Sequence, residues 1–139
     1  GHITLNSSNP YEYPKILFNY LHDEDDLKQT RECIHVARKI LSQPALAEHA
    51  GKEVGPGNDA QSDDELNEYI RSKADTAYHP CGTCKMGVDD MSVVDENLRV
   101  KGIQNLRVID ASVIPEIPSA NLNAPTLMIA EKGAEAILN

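Results

Sequence analysis

Apolar and polar side chains alternate through the opening stretch, residues 1 to 8, with Ile3 and Leu5 on one face. That is the period of a half-buried strand. Asn9-Pro10 breaks it. From Lys15 to Leu21, the apolar residues Ile16, Phe18 and Tyr20 recur at every second position and predict a second short strand. The period then changes. Leu27, Thr30, Ile34, Ala37, Ile40 and Leu41 follow at helical spacing. Cys33 is read with that stripe, which predicts a core thiol. The acidic run Asp23, Glu24, Asp25 and Asp26 stands at the start of this helix, where negative charge suits the helix dipole. A solvated helix start explains the run more simply than a cation site does.

Residues 51 to 61 are glycine, proline and polar side chains, a loop. Ser62 followed by Glu65 has the spacing of a capping box. Leu66, Tyr69, Ile70, Ala74 and Ala77 continue from it as a helix that runs directly into the stretch 79–87. Pro80 forbids a normal continuation, so His79 is expected where helix gives way to loop. Val93-Val94 and Leu98-Arg99-Val100 predict short strands around a turn. Leu106 to Asp110 predicts a buried strand ending on an acid. A proline-rich loop, Val113 to Pro118, comes next. Asn123-Ala124-Pro125 then opens a last helix, with Asn as cap and Pro tolerated in the first turn. Leu127, Met128, Ala130, Ala134 and Ile137 carry that helix to the end. No internal repeat or low-complexity tract interrupts the pattern.

Composition narrows the function classes. The 139 residues make about one domain, and a 40% apolar content can support a core. A formal charge of -9 repels phosphate backbones and argues against a nucleic-acid partner. No run of 18 apolar residues exists, so no membrane span is expected. The chain opens on Gly1 rather than Met and shows no signal peptide, as a processed or excised piece would. Its 3 cysteines are an odd number and do not make a self-contained disulfide scaffold. Asn6-Ser7-Ser8 fits the glycosylation sequon. With it goes the expectation of an extracellular glycoprotein.

The densest chemistry lies in "HPCGTCKMG", residues 79 to 87. A structural zinc site needs four ligands, usually two separated pairs. Cys81 and Cys84 make one pair, with His79 beside them, but no second Cys/His pair exists; Cys33, His22, His35 and His49 are scattered. A zinc deaminase would show H-x-E and P-C-x-x-C. His22-Asp23-Glu24 and Pro80 to Cys84 match those words, yet more than fifty residues and two predicted helices separate them. A thioredoxin-like dithiol should open a helix after a strand. Here a predicted helix precedes the motif and Gly87-Val88-Asp89-Asp90, a loop sequence, follows. The simplest reading of Cys81 and Cys84 is two small, half-buried residues beside a glycine turn.

His79 stands out because of later blocks. "YHPCGTCKMG", "VVDENLRVKGIQNLRVIDASVIP" and "NLNAPTLMIAEKG", in that order, resemble the C-terminal part of the glucose–methanol–choline (GMC) oxidoreductases, flavoenzymes that oxidise alcohols. "GHITLNSSNP" is similar to that family's entry into its last substrate-domain segment. The resemblance covers nearly the whole chain and is most specific from His79 onward. The wording is nearest to members like insect glucose dehydrogenase and choline dehydrogenase.

The resemblance implies an α+β fragment. Residues 1–78 would be a substrate-domain segment, part of a substrate-binding sheet with its helices. Residues 79–139 would be an active-site loop and C-terminal elements that complete a Rossmann-like FAD domain. It implies FAD as cofactor, a small-molecule alcohol (a sugar or a small primary or secondary alcohol) as substrate, and His79 as the base that takes the alcohol proton. The second polar residue on that oxygen falls on Asn121, which cannot act as a base near neutral pH and is left to position. Cofactor contacts are implied at Asp110, Ala111, Asn121, Asn123 and Thr126. The N-terminus of the last helix would face negative charge on a reduced flavin. No G-x-G-x-x-G follows any predicted strand, so the phosphate cradle is expected on an N-terminal remainder acting as partner. No metal is expected. Cyanohydrin lyases of the same architecture, an inactive homologue and, remotely, the zinc deaminase are the alternatives.

Overall fold

A computed structural model describes residues 1–138. The chain divides into two compact units, Ile3–Asp75 and the part from Thr76 onward.

In the first unit, strand β1 (His2–Thr4) pairs with β2 (Lys15–Leu17) in a two-stranded sheet. The strand expected to reach Leu21 stops at Leu17, because Asn19 (φ 59) and Leu21 (φ 57) take left-handed backbone that no strand accommodates. The alternation still places Phe18 and Tyr20 together: their rings stack with centroids 5.1 Å apart and planes 14° from parallel.

Helix α1 (Glu24–Leu41) begins where the acidic run predicts, with the Asp23 carboxylate accepting the Asp25 N–H at 3.0 Å. It packs against α2 (Asp63–Lys73), with Leu27, Leu66 and Ile70 buried. Arg31 ties the two helices, donating to Asn67 Oδ1 at 2.6 Å and pairing with Asp63 at 3.4 Å. Arg38 holds the following loop: its Nε reaches both Glu53 oxygens, at 3.0 and 3.1 Å, and its Nη2 donates to the carbonyls of Gly57 and Ala60. Cys33 is a correction, since it is exposed. At roughly 100° per residue it lies about 120° around the helix from Leu27, off the face that meets α2.

The capping box of α2 forms as expected. Glu65 N–H donates to Ser62 Oγ, and Glu65 Oε2 accepts from the N–H groups of Ser62 and Gln61. The helix does not run to Ala77, however. It ends at Lys73, with Ala74 already extended (φ -61, ψ 134). Beyond it Tyr78 N–H turns to Thr76 Oγ1 at 3.0 Å, a local side-chain bond that competes with helix. His79 therefore follows an irregular segment rather than a helix end.

The second unit is built on Val94, Leu98, Val113, Ile114, Leu122 and Ile129. The strands predicted at 93–94, 98–100 and 106–110 are corrected to single bridges: Met86 to Val94 in parallel, Val94 to Val100 and Arg99 to Arg107 in antiparallel. The chain reverses too often for longer ladders. Leu98 (φ 63), Gly102 (φ 79) and Asn105 (φ 60) all take left-handed backbone, and Asp95 Oδ1 gathers the N–H groups of Asn97 and Arg99. Leu106 is exposed, and Arg107, Val108 and Ile109 are only half-buried, so this segment is not the buried strand expected. Asp110 then caps a short 3₁₀ turn, Ala111–Val113, by accepting the Ser112 N–H at 2.8 Å.

Helix α3 (Asn123–Leu138) closes the described chain. Asn123 is its first helical residue rather than its cap: the Thr126 N–H and hydroxyl both reach the Leu122 carbonyl, at 2.9 and 2.7 Å. Pro125 sits in the first turn, where its missing N–H has no partner to lose.

Candidate active site

His79 and Asn121 lie 42 positions apart in sequence and meet in space, with Nε2 and Nδ2 2.8 Å apart. An amide nitrogen can only donate. The contact therefore places the Asn121 N–H on the lone pair of Nε2 and the ring proton of a neutral imidazole on Nδ1. His79 is half-buried and Asn121 exposed.

The backbone around His79 explains why its ring is held there. Tyr78 takes φ 59, an uncommon value for an aromatic residue, and the chain turns sharply into His79-Pro80. Gly82 takes φ 85, and a Cβ on it would stand 3.3 Å from the Ile114 carbonyl. A side chain at that point would strain the backbone and crowd the 111–114 turn, so glycine suits this close approach. Two hydrogen bonds complete the attachment: Cys84 N–H to Ser112 O at 2.9 Å and Met86 N–H to Val113 O at 2.8 Å. Lys85 N–H closes a turn onto Gly82 O at 3.2 Å. Sequence reasoning missed Tyr78 and Gly82 as positioning residues. Gly82 carried a signal as the glycine of the motif; Tyr78 carried none.

The other predicted residues fall into two groups. Asp110 and Ala111 begin the turn on which the His79 loop rests, and the Asp110 carboxylate is engaged by the Ser112 N–H and hydroxyl. Asn123 and Thr126 lie in the first turn of α3, two and five positions beyond Asn121. The Thr126 hydroxyl proton is committed to Leu122 O, which leaves that oxygen only its lone pairs for a ligand. Among the described residues, no backbone hydrogen bond occupies the N–H groups of Asn123 and Ala124. They are free donors at a positive helix end, suited to a negatively charged ring edge. A groove of about 440 Å³ between α3 and the 96–98 turn, walled by Met86, Leu98, Met128, Ile129 and Lys132, contains none of these six residues.

The zinc readings are not supported. Among the described residues no group of three His, Cys, Asp or Glu side chains could hold a metal ion. His22 and Glu24 belong to the first unit, Cys81 and Cys84 to the second. Both motif cysteines are half-buried free thiols, and Cys81 packs against the core of its unit. No helix of the described residues is long and apolar enough to cross a membrane.

Comparison with known proteins agrees with the motif blocks. The family model described as GMC oxidoreductase, for the C-terminal part of such proteins, matches residues 1–130. The chain belongs to the GMC oxidoreductase family. Over 137 residues it is 53% identical to an oxygen-dependent choline dehydrogenase of Klebsiella pneumoniae, covering 99% of this chain and 25% of that protein. It is 50% identical to the namesake of Escherichia coli O157:H7, covering 99% and 24%. Among solved structures it resembles pyridoxine 4-oxidase from Mesorbium loti (34% identity, TM-score 0.88, 96% of this chain and 26% of that one). It also resembles an FAD-dependent oxidoreductase from Chaetomium thermophilum (28% identity, TM-score 0.90, 97% and 24%). The chain thus spans about a quarter of the length of the curated relatives it matches.

These relatives correct one expectation. The expectation of an extracellular protein goes with the Asn6 sequon, whereas the similar curated proteins are choline dehydrogenases of Klebsiella pneumoniae and Escherichia coli. The ground for a secreted protein is thereby removed.

Proposed function

We propose that this chain supplies the C-terminal quarter of a flavin-dependent alcohol oxidoreductase, in which His79 is the general base and Asn121 positions the reacting oxygen. The observation that carries the reading is the 2.8 Å contact between His79 Nε2 and Asn121 Nδ2. In the absence of substrate, the Asn121 N–H occupies the place on Nε2 that an alcohol O–H would take. An entering alcohol donates to Nε2 in its stead, and its oxygen accepts from Asn121. As the hydroxyl proton passes to Nε2, the oxygen gathers negative charge. The same two groups then both donate to it, which lowers the barrier to losing hydride from the adjacent carbon.

FAD, when bound, accepts that hydride. This chain's part would be the ring end of the cofactor. The free N–H groups of Asn123 and Ala124 would face negative charge on the ring, and the turn Asp110-Ala111 would form a second contact. Nothing in the sequence offers a G-x-G-x-x-G cradle for the pyrophosphate, so we assign that task to an N-terminal remainder, the partner of this segment. In this reading residues 1–78 join the substrate-binding sheet, and residues 79–139 complete the Rossmann-like flavin domain. The names of the curated relatives make choline the first alcohol to test. Anaerobic mixing of the flavin-loaded enzyme with choline should bleach the flavin and yield the aldehyde. Carbonyl product released from a cyanohydrin with the flavin left oxidised would instead indicate the lyase, which no observation here favours.

A further inference from the structure

Cys81 and Cys84 have no part in the proposed chemistry, yet they stand in an unusual place. They are separated by Gly82 and Thr83, and both are half-buried free thiols. The run between them is not extended: Gly82 takes φ 85, and Lys85 N–H closes a turn onto Gly82 O at 3.2 Å in which Thr83 and Cys84 are the central residues. A fully extended run of three Cα–Cα steps would span about 11 Å, whereas a disulfide needs roughly 4.4–6.8 Å. Left-handed backbone at Gly82 and a turn that begins inside the run both make it shorter than the extended span. His79 is two residues before Cys81, and Cys84 N–H is bonded to the Asp110–Val113 turn at Ser112 O.

We propose that Cys81 and Cys84 are a modification site, a dithiol that hydrogen peroxide converts to a disulfide and that slows the enzyme when oxidised. One thiolate attacks peroxide: an S–O bond forms, the O–O bond breaks, and the departing hydroxide takes a proton as water. The second thiol attacks the sulfenic sulfur: the S–S bond forms, the S–O bond breaks, and the second water leaves. Two thiols lose two electrons to one peroxide, and two waters result. Peroxide is the product expected wherever a flavin is reoxidised by oxygen, so an enzyme of the proposed class that used oxygen would itself supply the oxidant. The consequence for turnover follows from the backbone. Cross-linking changes the geometry of 81–84, the segment that joins His79 to its support at Ser112 and Val113. The 2.8 Å contact with Asn121 belongs to the reduced form.

The coupling to turnover rests on the function proposed above; the disulfide itself does not. The test treats the flavin-loaded enzyme with hydrogen peroxide, removes excess oxidant, and maps the peptide containing residues 81–84 by mass spectrometry before and after a dithiol reductant. In parallel, flavin reduction by choline is timed. The expected result is an intramolecular Cys81–Cys84 disulfide, a reduction rate lowered at least about tenfold, and recovery of both on reduction. Cys81→Ser and Cys84→Ser should keep the parent's basal rate within about tenfold and show no reversible loss. Thiols that stay reduced, or go only to sulfonic acid, overturn the proposal. So does a disulfide form that reduces its flavin at the parent's rate. If choline never bleaches the parent flavin, the peptide map still decides the dithiol, and only the function reading fails.

Discussion

Gly133 of α3 meets Ile109 so closely that a Cβ placed on the glycine would stand 2.5 Å from Cγ2 and 2.8 Å from Cδ1. Real Cβ atoms do not approach that near. The contact seats α3, whose first turn carries Asn123 and Thr126, against the segment that leads into Asp110-Ala111. Packing at one end of the helix therefore sets where its N-terminal N–H groups can point.

Gly133→Ala is expected to be destabilising despite the helix-propensity gain. That gain is about 1 kcal/mol at most. Overpacking a close contact costs typically about 1–3 kcal/mol. Thermal unfolding of the intact enzyme should show a lower midpoint, and adding Ile109→Val should restore part of the loss by removing Cδ1, one of the two crowding methyls. An unchanged midpoint in the single variant would mean that α3 slides freely over Ile109.

Arg38 should matter more than its place on a helix surface suggests. One guanidinium serves a carboxylate and two carbonyls of the 53–60 loop. Hydrogen bonds to charged groups are worth about 1.5–3 kcal/mol when made, and both partners here are partly shielded from water. Arg38→Met keeps the stem and removes the fork. Limited proteolysis should then cleave within residues 53–60 at least several times faster than in the parent. Equal cleavage rates would show that the loop is held by other means.

Acid should loosen two turns before it unfolds either unit. The Glu65 carboxyl is lowered from 4.5 to about 2, chiefly by the Ser62 N–H, then by the Ser62 hydroxyl and the Gln61 N–H. Asp89 is lowered from 3.8 to about 2, chiefly by the Ser92 hydroxyl and then by Lys85. Both carboxyls bind protons less readily when folded, so their contribution is present above the unfolded value and lost as pH falls through the folded one. The window runs from about 4.5 down to about 2 for Glu65 and from 3.8 to about 2 for Asp89. Protection against amide exchange in the first turn of α2, taken relative to the unfolded-chain rate at each pH, should fall in the parent as pH drops across that window. Glu65→Gln should show lower protection already at neutral pH and little further loss below it.

What could be read from sequence was local. The Ser62–Glu65 box joins groups three positions apart and formed as expected, and the acidic run marked the start of α1, although the capping by Asp23 was not foreseen. The misreadings came from partners a window cannot see. Apolar residues at 106–109 look like a buried strand whether or not neighbours cover them, and Leu106 is exposed. The spacing through Ala74 and Ala77 continues a helix on paper, while α2 stops at Lys73 and Ala74 is already extended. Left-handed backbone at Tyr78 and Leu98 has no compositional marker, unlike the same conformation at Gly82. The candidate site was reachable only through the family blocks. No periodicity links His79 to Asn121 across 42 positions; the fold of the second unit does.

His79→Ala and Asn121→Ala provide the sharpest test of that pair. If His79 takes the alcohol proton, its removal from the intact enzyme should slow flavin reduction by about 10²–10⁴-fold. FAD should remain bound, since the phosphates are held outside this chain in the proposed arrangement. The parent's rate should rise with pH as the base loses its proton, and the His79→Ala rate should lack that dependence. Asn121→Ala removes a donor but no proton acceptor. It should slow reduction by a smaller factor and keep the parent's pH profile. Because both groups act on one oxygen in one transition state, the double variant should be less impaired than the product of the two single effects predicts. Asn121→Asp adds a discriminating case: a carboxylate accepts where the amide donates, so it would repel the developing oxyanion and favour a protonated His79. That variant should be slower than Asn121→Ala, and its pH profile should move to higher pH. Stopped-flow reduction of the four variants measures each of these quantities. A His79→Ala enzyme that reduces its flavin as fast as the parent would place the base elsewhere and leave the 2.8 Å contact a structural one.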